Sequence, residues 1–180
     1  MKRSIVVYKS KYGATQQYAK MISDQLGCER ILLDQLKMVN ADEYDRFIFC
    51  LPIYNGLIAG MATLKLRYFT LSRKDIVMFL VGLTDLDAQD EISLAIEASL
   101  TEGMRHRFKI FYGMGRMRYK NMNLADKMSW SKWIKGIKKR PEAEWNPTEQ
   151  AMVAHAKDKL DLVEEDQIKG LLRFIEEDQN

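Results

Sequence analysis

The sequence predicts an α/β fold in which a parallel sheet is covered by helices on both faces. Two observations support this fold class. The predicted strands are short, continuous apolar segments, which are typical of strands buried on both faces. They alternate with segments of helical periodicity, the pattern from which doubly wound sheets are built. The 180 residues, 47% of them hydrophobic, are enough for one core, so we expect a single domain over residues 1–180.

The predicted elements alternate along the chain. Tyr18, Ile22 and Leu26 define the apolar face of the first helix, which Gly27 is placed to end. About fifty residues separate the fifth strand from the last helix, and segments of that length usually carry structure or function of their own. We therefore expect a helical insertion after the fifth strand, within a basic segment at residues 103–147 that includes that strand. The strands are predicted at residues 5–8, 30–33, 47–51, 76–81 and 108–112. The helices are predicted at residues 14–26, 59–71, 90–100, 124–140 and 166–177.

The net charge of +3 conceals an uneven distribution. Residues 103–140 have 12 basic side chains and a single acidic one, Asp126, whereas residues 141–180 have 4 basic and 11 acidic side chains. The first 102 residues are close to neutral, with 12 basic and 13 acidic side chains. The basic segment is therefore the main compositional sign of an interaction surface.

The number of cysteines and the length of the apolar segments indicate the cellular compartment of the protein and whether it holds a metal. Cys28 and Cys50 are the only cysteines, too few for a disulfide framework or a zinc site. The apolar run at residues 5–8 is too short for a secretion signal, and no run approaches the ~18 residues that span a bilayer. We expect a cytoplasmic protein without a bound metal.

A loop between the first strand and the first helix has the composition of an anion site. Ligands of open α/β sheets bind beyond the carboxyl ends of the strands, and a helix amino terminus attracts anions. The loop matches neither GxGxxG nor GxxxxGK[ST], which disfavours dinucleotides and nucleoside triphosphates. The alternatives are a phosphate site and an ordinary helix cap. The loop residues are Ser10, Lys11, Tyr12, Gly13, Ala14 and Thr15.

Two more loops follow predicted strands at the same edge of the sheet. Tyr54 offers a flat face for stacking, or is a half-buried surface aromatic, and the two residues after it favour a turn. The loop after the third strand contains Pro52, Ile53, Tyr54, Asn55 and Gly56, and the loop after the fourth contains Leu83 and Thr84.

The Ser-x-x-Gly-x-Thr pattern of residues 10–15 resembles the phosphate loop of the flavodoxin superfamily. The Pro-Ile-Tyr-x-Gly turn at residues 52–56 resembles the second flavin loop of its longer members. The resemblance implies a flavodoxin-like five-stranded parallel sheet of strand order 2-1-3-4-5 that binds FMN without a covalent bond. It further implies that the first loop holds the phosphate, that the second flanks the isoalloxazine ring, and that Leu83 and Thr84 contact the ring edge. Tyr12 replaces a hydroxyl residue that is usual in the family.

The predicted helix at residues 124–140 has two unlike faces. Trp130 and Trp133 lie on one face, and tryptophan beside lysine suits an anionic membrane surface. The alternative is that the tryptophan face packs on the domain while the lysines are solvated. Nucleic-acid binding is not expected, because no recognised motif accompanies these residues. The lysines of the opposite face are Lys127, Lys132, Lys135, Lys138 and Lys139.

The segment after the fifth strand indicates which branch of the superfamily this sequence resembles. Its paired glycines, basic aromatic stretch and long helix resemble the branch that includes the menaquinone-dependent protoporphyrinogen IX dehydrogenases. That implies an FMN-dependent oxidoreductase whose partner is a quinone or a redox protein. Arg116, Arg118 and Lys120 are then expected to form a cationic rim for substrate carboxylates, or simply to aid solubility. A soluble electron shuttle is the main alternative, although shuttles of the family are acidic, and a flavin-free interaction module is another.

Overall fold

A parallel sheet of five strands forms the centre of the computed structural model, which describes residues 2–178. The strands are β1 (Ser4–Tyr8), β2 (Glu29–Leu32), β3 (Arg46–Tyr54), β4 (Leu57–Ile58), β5 (Asp75–Gly82), β6 (Lys109–Met114), β7 (Arg116–Arg118) and β8 (Lys159–Asp161). The order in the sheet is β2-β1-β3-β5-β6, and the short β4 pairs antiparallel with the end of β3. With β4 set aside, this order is the predicted 2-1-3-4-5, so the predicted fold class is confirmed.

The helices follow the predicted alternation, with two additions. The α-helices are α1 (Ala14–Leu26), α2 (Met61–Arg67), α3 (Gln89–Ser99), α4 (Glu102–Arg107), α5 (Leu124–Ile137), α6 (Pro147–Ala154) and α7 (Lys169–Glu177). Helices α4 and α6 were not predicted. The helix predicted at residues 59–71 begins later, because Gly60 has a φ of +91° and stands outside it, and it ends at Arg67, after which the chain forms turns.

Both faces of the sheet are buried. Alternate residues of β3 point to opposite faces, as the pleat of a strand requires. Phe47 and Phe49 belong to one apolar cluster, while Ile48 and Cys50 belong to a second cluster together with residues of α1 and α7. This two-sided burial explains why the strands are continuous apolar runs in the sequence.

Residues 115–162, here called the insertion, have a third apolar core. Strands β7 and β8 pair antiparallel within it, and α5 and α6 pack together beside them. Trp130 is 5% exposed and donates a hydrogen bond from Nε1 to the Ala156 carbonyl at 2.7 Å. The apolar face of α5 therefore packs within the insertion at Trp130, Ile134 and Ile137. Among residues 2–178 we find no helix long and apolar enough to cross a membrane.

Candidate functional site

A cavity of about 360 Å³ lies at the carboxyl ends of β1, β3 and β5, with the insertion as a further wall. Its volume is within the range of small-molecule sites. The residues predicted for the three loops line it, except Lys11 and Gly13. The lining loop residues are Ser10, Tyr12, Ala14, Thr15, Pro52, Ile53, Tyr54, Asn55, Gly56, Leu83 and Thr84.

The first loop turns sharply into α1. Ser10 Oγ accepts a hydrogen bond from the Gly13 backbone N–H at 3.1 Å, and Gly13 has a φ of +88°, which favours glycine. No described side chain caps the amino terminus of α1, and its first turn contains no acidic residue. The first N–H groups of a helix have no acceptor within the helix, so this terminus can bind an anion.

The second loop is a tight hairpin between β3 and β4. Asn55 and Gly56 have φ values of 51° and 73°, as a two-residue turn of this kind requires. The Tyr54 ring meets the Tyr12 ring edge-on, with 6.3 Å between centroids. Burial, and then the neighbouring Tyr12, raise the pKa of Tyr54 to about 12. Tyr54 is therefore a neutral hydroxyl at pH 7.

The third loop is held from both sides. Tyr112 Oη donates to the Thr84 carbonyl at 2.8 Å, and a Cβ on Gly82 would lie only 2.7 Å from that Oη. On the other side, the Asp85 carboxylate accepts a hydrogen bond from the Thr148 hydroxyl of α6. This bond lowers the pKa of Asp85. The loop is thus connected to the insertion.

The insertion is also connected to the first loop, by what we call the Asp126 bridge. Asp126, in the first turn of α5, accepts hydrogen bonds from Lys11 Nζ and Tyr12 Oη. Partial burial opposes ionisation of this carboxyl, but the two donors outweigh it and hold the pKa of Asp126 below its usual range. Burial and the same contact raise the pKa of Tyr12. The bridge thus joins a carboxylate to a cation and a neutral phenol.

Several lining residues were not predicted for this site. Asp126 had a sequence signal, because it is the single acid of the basic segment. The α3 residues had none, since apolar residues at helical spacing look like ordinary core. Of the predicted cationic rim, Arg116 lines the cavity, whereas neither Arg118 nor Lys120 is among the described lining residues. The additional lining residues from α3 and the insertion are Glu91, Ile92, Ala95, Gly115, Met117, Met122, Asp126, Ser129, Trp130 and Trp133.

The predicted tryptophan face is divided between two environments. Trp133 is 39% exposed and meets Trp130 edge-on at 5.7 Å between ring centroids. Both rings line the cavity, but only Trp133 is substantially open to solvent. Trp130 therefore packs within the protein, as the alternative to membrane binding predicted for the tryptophan face. Membrane binding stays a prediction, and Trp133 is the tryptophan available for it.

Comparison with known proteins agrees with this architecture. Residues 5–144 match the sequence profile of the flavodoxin domain. Because the match covers most of the chain, the protein belongs to the flavodoxin-domain family. No curated protein sequence matches it significantly.

Solved structures with similar folds include the Trp repressor binding protein from Bacillus subtilis. It has 22% identity and a TM-score of 0.46, over 63% of this chain and 85% of that one. Another is a flavoprotein in complex with FMN from Lactobacillus acidophilus. It has 14% identity and a TM-score of 0.44, over 63% of this chain and 93% of that one.

Proposed function

We propose that the protein binds FMN in the cavity and acts as an oxidoreductase. The observation that carries the proposal is the convergence of three loops on one cavity beside an uncapped helix amino terminus. Each loop follows a strand of a flavodoxin-domain sheet. A flavin-free interaction module would not need such a cavity.

The donor set of the cavity fits a flavin monophosphate. At one end, the amino terminus of α1 and the hydroxyl residues Ser10 and Thr15 would hold the phosphate. At the other end, Tyr54 and the apolar Ile53 and Leu83 would flank the ring. The described loops provide one phosphate-binding element, which favours FMN over a flavin dinucleotide.

When bound, FMN supplies electron or hydride transfer, and the protein supplies its orientation and surroundings. Tyr54 has a raised pKa and is neutral at pH 7, so it offers an O–H donor without adding negative charge, whereas the O–H of Tyr12 already donates to Asp126. The Asp126 carboxylate is occupied by Lys11 and Tyr12. The residues of the cavity would therefore bind and orient the flavin, and the insertion would shield one side of it from water.

Within this function we propose a dehydrogenase that delivers electrons to a quinone, with a protoporphyrinogen-type donor. Support comes from the insertion, which encloses the cavity with the apolar side chains of Met122 and Trp133. Such a wall suits a flat organic substrate, whereas a shuttle exchanges electrons through an exposed flavin edge. The soluble electron shuttle is the second candidate.

Titration of the purified protein with FMN tests the cofactor. We expect quenching of flavin fluorescence that saturates at one FMN per chain. Thr15→Val, at a buried residue of the cavity, should weaken binding, whereas Thr70→Val, at an exposed residue outside the cavity lining, should not. Absence of saturable quenching in the wild type would refute FMN binding.

Anaerobic turnover of the FMN-loaded protein separates the two oxidoreductase candidates. A dehydrogenase should reduce a soluble quinone analogue with protoporphyrinogen IX as the donor, and each electron pair that leaves the donor should reduce one quinone to the quinol. A shuttle should instead exchange single electrons with a flavodoxin reductase. Reductase-dependent exchange without quinone turnover would refute the dehydrogenase proposal while leaving FMN binding intact.

We also propose that the lysine face of α5 binds an anionic membrane surface, which would place the protein at the inner face of a membrane. Lys132 and Lys135 on α5 and Lys138 and Lys139 just after it are exposed, and the partly exposed Trp133 lies among them in sequence. We expect sedimentation with vesicles containing anionic lipid that weakens as salt rises. Trp133→Ala should reduce it. Equal sedimentation with neutral and anionic vesicles would refute the proposal.

A further inference from the structure

A largely buried arginine of the insertion lies beside the first loop. The Arg116 side chain is only 11% exposed and contributes to the cavity wall. Its Nη1 is 3.5 Å from the position that a Cβ would occupy on Gly13. Arg116 thus brings a full positive charge from β7 to the loop that precedes α1.

The guanidinium of Arg116 is fixed along two of its edges. Nη2 donates a hydrogen bond to Gln17 Oε1 at 2.6 Å, and the guanidinium forms an ion pair with Asp161, with 2.8 Å between Nε and Oδ2. No hydrogen bond from Nη1 is found among residues 2–178. Two neighbours therefore orient the group so that its remaining edge is next to Gly13.

This arrangement places two positive features together. The amino terminus of a helix is equivalent to about half a positive charge, and α1 has neither an acid in its first turn nor a side-chain cap. The negative charge of Asp161 lies on the β8 side of Arg116, so it does not stand between the guanidinium and the amino terminus of α1. An arginine held against an uncapped helix terminus is electrostatically unfavourable unless an anion lies between or beside them.

We propose that Arg116 recognises the phosphate of the bound flavin and makes the site selective for FMN over riboflavin. The inference rests on the proposed function and deepens it. The guanidinium would donate charge-assisted hydrogen bonds to a phosphate dianion, which strengthens its binding beyond what neutral hydroxyl and amide donors provide. Riboflavin, which lacks the phosphate, would gain nothing from this residue.

Paired titrations with FMN and riboflavin test the assignment through the quenching of flavin fluorescence. Arg116→Gln should weaken FMN binding about 10- to 100-fold and leave riboflavin binding within about twofold. Arg116→Lys, which keeps the charge, should recover part of the loss. Lys120→Gln is the matched control, because it removes one positive charge at an exposed residue outside the cavity lining.

Each alternative has its own outcome. Equal weakening of both flavins by Arg116→Gln would show that Arg116 merely supports the fold of β7, and would overturn the inference. If Arg116→Gln fails to fold, competition titrations of the wild type test the inference instead. Inorganic phosphate must then compete with FMN and not with riboflavin, and a lack of competition overturns the inference. A wild type that binds riboflavin and FMN equally overturns it too, whereas one that binds neither flavin refutes the proposed function itself.

Discussion

The Asp126 bridge should contribute measurably to stability, and Asp126→Asn isolates its charge while keeping its shape. The side chains of Lys11 and Asp126 are 43% and 27% exposed, so their ion pair contributes only ~0–1 kcal/mol. Donation from Tyr12 to a carboxylate instead of a neutral amide adds about 1 kcal/mol. A negative charge in the first turn of α5 adds about 0.3–1 kcal/mol. We expect the free energy of unfolding to fall by about 2 kcal/mol at pH 7.

This loss should depend on pH in a defined direction. The pKa of Asp126 in the folded protein is below its ordinary value of about 3.9, so its carboxylate stabilises the fold fully above that value. The contribution disappears as the pH falls through the folded pKa, because the wild-type side chain is then also neutral. The difference between wild type and variant should therefore be constant from about pH 5 to 7 and shrink below about pH 4.

Urea unfolding at several pH values measures the difference. The three tryptophans, Trp130, Trp133 and Trp145, all lie in the insertion, so their fluorescence reports the insertion while circular dichroism reports the whole fold. Asp158→Asn is the control, since Asp158 is exposed and we find no ion pair for it among the described residues. Equal stability of wild type and Asp126→Asn at pH 7, or a difference that persists unchanged at pH 3, would refute the assigned role.

Four further substitutions and one alkylation rate test packing and burial. Gly82→Ala should lower the free energy of unfolding by about 2 kcal/mol through its clash with Tyr112, whereas Gly136→Ala, in open space on α5, should raise it by up to about 1 kcal/mol in urea. Arg46 is fully buried and its Nη2 donates to Asp178, but its Nε and Nη1 have no described partner. Because Asp178 is partly exposed and also pairs with Lys2, Arg46→Met should stay within about 1 kcal/mol of wild type, while Arg46→Ala loses about 3 kcal/mol in the same assay. Burial raises the pKa of Cys28 to about 11, so mass spectrometry should show alkylation at pH 8 about a hundredfold slower than for a free cysteine.

The fold was predictable to the extent that burial leaves a pattern in the sequence. Strands β1, β3 and β5 are buried on both faces and are apolar runs in the sequence, so their existence could be inferred, whereas their order was implied only by the resemblance to the flavodoxin superfamily. Strands β4, β7 and β8 have two or three residues each, too few for a periodicity. Helix α6 did have a signal, because Asn146, Pro147 and Glu149 form a capping box with proline in the first turn.

The site was predictable where its residues follow strands, and much less so where they come from the insertion. Lys11 and Asp126 are 115 positions apart, and no local pattern can place them together. The sign that was available is the isolation of Asp126 among 12 basic residues, since a lone acid in such a segment has many attractive neighbours. Periodicity put Trp130 and Trp133 on one face of a helix, but it could not reveal that both line the cavity while only Trp130 is buried by the insertion.

The basic residues of the insertion lie in two different environments, and the two proposals for the insertion depend on this difference. The lysines of α5 face solvent, where they act at long range and are screened by salt. Arg116 faces the first loop from a largely buried position, where screening is weak and hydrogen-bond geometry is fixed. Removing the α5 charges should therefore alter encounters with membranes or partners, whereas removing Arg116 should alter which flavin is held. Since the insertion also contacts both the first and the third loop, we expect substitutions in the insertion to change binding at the cavity even where the sheet is unaltered.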